Sequence, residues 1–164
     1  MKSRTTALLA SLALVTGAVF TAAPAQAAEP TGSVACKTPA ANINVNGTSK
    51  RLASKFFKLL QAKNTSGLKA FLDPAFYSVD SHGVAKTRSQ LVNGLLPNIN
   101  AFKVSHMHAQ LNGSVMTAHY LVLAAGDING APYAISAAPR LSTFTFCSGS
   151  WQLVSHANFD PLKK

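Results

Sequence analysis

The spacing of apolar residues along this chain begins helical and ends with a period of two. Between Thr48 and Lys63, Leu52, Phe56, Leu59 and Leu60 recur every three or four residues, while Lys50, Lys55, Lys58 and Lys63 fall mostly on the other side. This is the stripe of an amphipathic helix, with Thr48, after Asn46-Gly47, as the expected N-cap. A second short helix is expected from Thr65 or Ser66 to Leu72, because Asp73 precedes Pro74 and the residue before proline disfavours the helical region. Residues 76–79 read as a strand, 80–83 as a turn and 84–86 as a return strand. Thr87-Arg88-Ser89-Gln90 has the capping-box form and opens a third helix carrying Leu91, Val92, Leu95 and Leu96 up to Pro97.

Beyond Pro97 only strands are expected. Residues 102–111 alternate, Asn112-Gly113 signals a tight turn, and 114–125 form the partner strand. A turn over 127–130 leads into a strand from 132 to 147. Ser148-Gly149-Ser150 then turns the chain into a final strand, closing a hairpin that spans 140–161. In that hairpin Leu141, Thr143 and Thr145 alternate with Ser142, Phe144 and Phe146, and Trp151, Leu153 and Ser155 alternate with Gln152, Val154 and His156.

The order is helix, helix, short hairpin, helix, then four long antiparallel strands: an α+β chain. With the last strand of the form W-x-L-V-S-H-x-N, this order resembles the nuclear transport factor 2-like superfamily, which includes the SnoaL-like cyclases and the ketosteroid isomerases. The resemblance covers about residues 49–161. It implies a cone, three helices packed in a strongly curved antiparallel sheet, with an apolar pocket inside.

The N-terminal segment adds a compartment. Lys2 and Arg4 precede an apolar run over 7–20, and Ala25-Gln26-Ala27 follows Pro24, so residues 1–27 read as a cleaved secretory signal. The run is shorter than the roughly 20 residues a bilayer requires. A mature chain of 137 residues suffices for one domain. Residues 28–47 read as an extended arm and 48–164 as the domain. In an exported chain, Cys36 and Cys147, the only two cysteines, read as a disulfide. Without Lys2 and Arg4 the net charge is +8. That balance reads either as solubilising charge dispersed over the surface or as attraction to an anionic cell-envelope surface. Export, the scattered bases and the lack of interleaved aromatics argue against nucleic acid. Asn46, Asn64 and Asn112 each lie in N-x-S/T.

The candidate chemistry rests on few groups. The resemblance matches Asp80-Ser81-His82-Gly83 to the D-x-x-G turn of ketosteroid isomerases, which makes Asp80 the general-base candidate. It also puts Phe56 at the oxyanion-hole tyrosine and Ser142 near the protonated aspartate. Phenylalanine has no proton to donate, so the enolate-stabilising pair is missing. His119 and His156 are acid-base candidates beside Asp80, since imidazole titrates near neutrality. Phe56, Tyr120, Ser142 and Trp151 are the expected pocket lining. His106 and His108, two apart in a strand, share a face but lack further ligands, so no metal site and no cofactor are expected. G-x-S-x-G, a phosphate loop and HExxH are all absent. The leading reading is a secreted, non-catalytic domain whose cone holds a small apolar ligand or simply packs shut. The alternatives are a SnoaL-like isomerase or cyclase with Asp80 as base, and an interaction protein, a homodimer through the outer face of its sheet.

Overall fold

The computed structural model describes residues 36–128, 131–132 and 136–161. The expected signal, the start of the arm and parts of the 127–147 region lie outside the described residues. Helix α1 (Val45–Gln61) starts three residues before the expected cap: Asn44 Oδ1 accepts from the Gly47 amide at 2.9 Å. Thr48 and Ser49 are instead buried in the first turns. Glycine at 47 lets the Asn44 side chain fold back, since a Cβ there would meet it at 2.8 Å. Helix α2 (Thr65–Phe71) is capped in the same way by Asn64. The short helix α3 (Arg88–Asn93) carries the expected capping box of Thr87 and Gln90, but stops at Gly94, ahead of Pro97.

The described residues form seven strands, in the sheet order β2-β1-β7-β6-β4-β3, with β5 paired to β4. They are β1 (Leu72–Val79), β2 (Ala85–Thr87), β3 (Asn98–Asn112), β4 (Val115–Ile128), β5 (Ala131–Pro132), β6 (Ala138–Cys147) and β7 (Ser150–Asn158). The strand expected over 132–147 is therefore two pieces, β5 and β6. Four neighbouring pairs in the main order are antiparallel, but β1 and β7 run parallel. No turn joins these two strands, so the hairpin signals carry no information about their direction. Both long hairpins close in two residues. Gly113 (φ 57°) turns β3 into β4, one position later than expected, and Ser148 and Gly149 (φ 53° and 77°) both adopt the left-handed conformation that a type I′ turn requires.

Two bulges set which side chains reach the interior. In β3 the partners change from Ser105↔Leu121 to His108↔His119, so two residues oppose Tyr120, and His106 takes a positive φ. Phe102 and Val104 face inward before the bulge, Met107, Ala109 and Leu111 after it. In β7 the partners change from Phe144↔Leu153 to Thr143↔Ser155, an extra residue that lets both Leu153 and His156 face the interior. Simple alternation had placed these two on opposite faces.

The core lies between the helices and the inner face of the sheet. Ala53, Phe56, Phe57 and Leu60 of α1 and Leu68 and Phe71 of α2 meet Met116, Tyr120, Val122, Phe144 and Leu153 of the sheet. Phe71 packs on Phe144 at 6.4 Å between ring centroids. Cys36 and Cys147 form a disulfide that pins the segment before α1 to the end of β6.

Candidate functional site

A cavity of about 500 Å³ opens between α1, the β1–β2 turn and the end of the sheet where β6 begins and β7 finishes. Phe56, Phe57, Leu60, Ile99, Val122 and Ala124 form its apolar wall. Asp80, His82, Lys86, Arg140 and Asp160 stand among its polar lining. Cavities of this size accept small organic ligands.

His156 and Asn158, at the end of β7, make the inner polar wall. His156 is 5% exposed, with the rings of Phe56 and Phe57 set edgewise to it at 5.0 and 6.0 Å. A hydrogen-bonded chain runs inward from the cavity. Asn158 Oδ1 lies 2.9 Å from His156 Nε2, His156 Nδ1 lies 2.9 Å from Ser142 Oγ, and Ser142 Oγ lies 2.8 Å from the Tyr120 hydroxyl. Burial, assisted by the Arg140 guanidinium, holds His156 down to about 3, against a weaker upward pull from its bond to Asn158. Burial pushes Tyr120 up to about 12. At neutral pH both groups are therefore uncharged, and neither exchanges a proton readily with a ligand.

The expected site residues separate into three groups. Phe56, Asp80 and His156 line the cavity together. Tyr120 and Ser142 lie behind His156, fully buried and touching the cavity only through the hydrogen-bonded chain. His119 and Trp151 are elsewhere. His119 is exposed, opposite His108 on the outer face of the sheet, because its neighbours Ala118 and Tyr120 occupy the inward positions of β4. Trp151 packs on its cross-strand partner Phe146 at 5.3 Å. His119 cannot share a proton with Asp80 from there, and Trp151 forms no part of the cavity wall.

Asp80 Oδ1 accepts from the amides of His82 and Val84 at 3.0 and 2.9 Å, which ties one carboxylate oxygen to its own turn. Asn158 and Arg140 were missed by sequence reading. Arg140 donates to the carbonyls of Pro139 and Phe159, holding the exit of β7 against the start of β6. Asn158 closes the W-x-L-V-S-H-x-N pattern, but its role depends on the β7 bulge. Among the described residues no group of three or more His, Cys, Asp or Glu is placed to hold a metal ion.

The mixed α+β architecture, a helix-packed sheet with a cavity at its end, matches nuclear transport factor 2-like structures. Solved structures share it. An NTF2-like protein from Cytophaga hutchinsonii aligns over 73% of this chain and 100% of its own, at 11% identity and a TM-score of 0.65. An NTF2-like protein of unknown function in nutrient uptake from Rhodospirillum rubrum covers 68% of this chain and 97% of its own, at 16% identity and a TM-score of 0.61. The association domain of C. elegans CaMKII covers 70% and 94%, at 13% identity and a TM-score of 0.56. Such identities establish the fold alone. No family model and no curated protein matches the sequence.

Proposed function

We propose that this chain is an exported, non-catalytic domain that holds a small, largely apolar ligand in its cavity. The observation that carries the reading is the cavity itself, about 500 Å³ with aromatic and aliphatic side chains on one side and a short polar wall on the other. The non-catalytic part is supported by the state of the polar groups. His156 is held neutral, Phe56 offers no proton where an enolate would need one, and one oxygen of Asp80 is engaged by its own turn. Export is supported by the N-terminal sequence and the disulfide.

The test uses naphthalene as a probe. It should shift the NMR signals of Phe56, Phe57 and Val122, and an Ala124→Phe variant, which fills the cavity, should lose those shifts. Asp80→Asn should bind the probe as tightly as the wild type, because an amide oxygen can accept the same two turn bonds. Absence of any shift at millimolar naphthalene, or turnover of an enolisable ketone that Asp80→Asn abolishes, would overturn the reading.

The positive charge has a location that fits retention at an anionic envelope surface. Lys50, Arg51, Lys55 and Lys58 line one side of α1 around a shallow depression, and α1 contains no acidic residue. Binding to anionic vesicles that weakens with salt, and weakens further in a Lys50→Gln/Arg51→Gln/Lys58→Gln variant, would support it. Self-association is a separate reading, favoured by Val115, Leu123 and Leu141, each more than a third exposed on the outer face of β4 and β6. Sedimentation of the wild type against a Leu123→Glu/Leu141→Glu variant separates a dimer from a monomer.

A further inference from the structure

We propose that the ligand is an uncharged molecule carrying a hydrogen-bond acceptor, such as a ketone, ester or amide carbonyl, and that the side-chain amide Nδ2 of Asn158 donates to it. The inference rests on the ligand-binding reading above and names the chemistry of that site. It follows from the direction of the buried chain. Tyr120, Ser142, His156 and Asn158 are linked by three contacts of 2.8 to 2.9 Å, and the neutral imidazole carries one N–H.

Two directions are open. In one, the Tyr120 hydroxyl donates to Ser142 Oγ, the Ser142 hydroxyl donates to His156 Nδ1, and His156 Nε2–H donates to Asn158 Oδ1. Both hydroxyls and the ring N–H of this chain then have an acceptor. In the other, Asn158 is turned so that its Nδ2 donates to Nε2, Nδ1–H donates to Ser142, and Ser142 donates to Tyr120. The Tyr120 proton is then left with nothing to donate to, in a residue of 0% exposure whose hydroxyl has Ser142 as its hydrogen-bond partner. A buried donor without an acceptor bears its whole desolvation cost, so the first direction holds.

That direction fixes Asn158 with its oxygen toward His156 and its NH₂ away from it. Asn158 lines the cavity, and among the described residues its Nδ2 has no partner. The cavity wall therefore offers an oriented N–H donor beside the rings of Phe56 and Phe57, a place for an acceptor attached to an apolar body. Among the described residues the formal charges of the lining balance, Asp80 and Asp160 against Lys86 and Arg140, so this part of the wall has no excess of either sign. An apolar molecule lacking the acceptor would leave the amide dry and unpaired.

The experiment uses two probes of one shape, 2-acetylnaphthalene and 2-isopropenylnaphthalene, in which C=O replaces C=CH₂. Affinities are measured by fluorescence or NMR titration for the full chain and for Asn158→Asp, which keeps an acceptor for His156 but removes the donor. Asn158→Leu is the second variant, and circular dichroism confirms folding of each. The ratio of ketone to alkene affinity should fall about three- to tenfold from wild type to either variant. Comparing ratios cancels the different solubilities of the two probes. A ratio unchanged in both variants would overturn the role of Asn158 while leaving the ligand reading intact. Failure of both probes to bind the wild type would overturn the two together.

Discussion

His156 should make this protein acid-sensitive in a way that one substitution removes. The side chain has an ordinary value of about 6.5 in the unfolded chain and is held at about 3 in the fold, chiefly by burial. Between those limits the unfolded state binds one more proton than the folded state, so stability rises with pH through the window. The contribution is complete above about 6.5 and is lost progressively as the pH falls toward 3. From pH 7 to pH 5 the loss is about 2 kcal/mol, at 1.36 kcal/mol per unit of proton linkage. This figure depends on the unfolded value and on the pH, and hardly on the folded value as long as that lies well below 5. Urea unfolding at the two pH values measures it directly. His156→Gln, which does not titrate, should lose about 2 kcal/mol less over the interval than the wild type. His82, His106, His108 and His119 are exposed and common to both proteins, so their contributions cancel. Equal losses in wild type and variant would refute the assignment of His156 as a buried neutral group.

Other consequences concern the frame around the cavity. Replacing Cys36 by Ser should lower the unfolding free energy, by up to about 5 kcal/mol in the chain-entropy treatment of a loop whose ends are 111 residues apart. The intact protein should weigh two hydrogens less under non-reducing conditions, and two free thiols would refute the bridge. Phe144→Ala, at a fully buried ring packed on Phe71, should cost about 3 to 5 kcal/mol in denaturant unfolding. Gly126→Ala should destabilise strongly, because a Cβ there would stand 1.8 Å from the Asn98 carbonyl oxygen, a backbone atom that β3 holds in place. A variant with an unchanged unfolding midpoint would refute the close approach of β3 and β4 at Gly126.

The amino-acid pattern determines the elements of this protein and most of their order. The stripe Leu52, Phe56, Leu59 and Leu60 makes α1 amphipathic wherever it is placed, and Thr87 with Gln90 caps α3 from local hydrogen bonds alone. Gly113 and Gly149 mark the two long hairpins because tight turns need a positive φ that glycine adopts without strain. Even the β3 bulge leaves a trace, two polar residues together at Ser105-His106 between inward Val104 and Met107.

The site obeys a different scale. Period-two reading puts Leu153 and His156 on opposite faces, and only the pairing of β7 with β6 reveals the extra residue that turns both inward. The parallel pairing of β1 with β7 brings the Asp80 turn to the cavity, and no short-range signal encodes it. His119 shows the converse. Its chemistry suits an acid-base group, but the register that places Ala118 and Tyr120 in the core puts it in water on the other side of the sheet. Turns and caps depend on bonds among neighbours in sequence, which the chain states outright. The direction of a side chain in a bulged strand, and the burial that holds a histidine neutral, depend on partners dozens of residues away, so only the assembled sheet decides them.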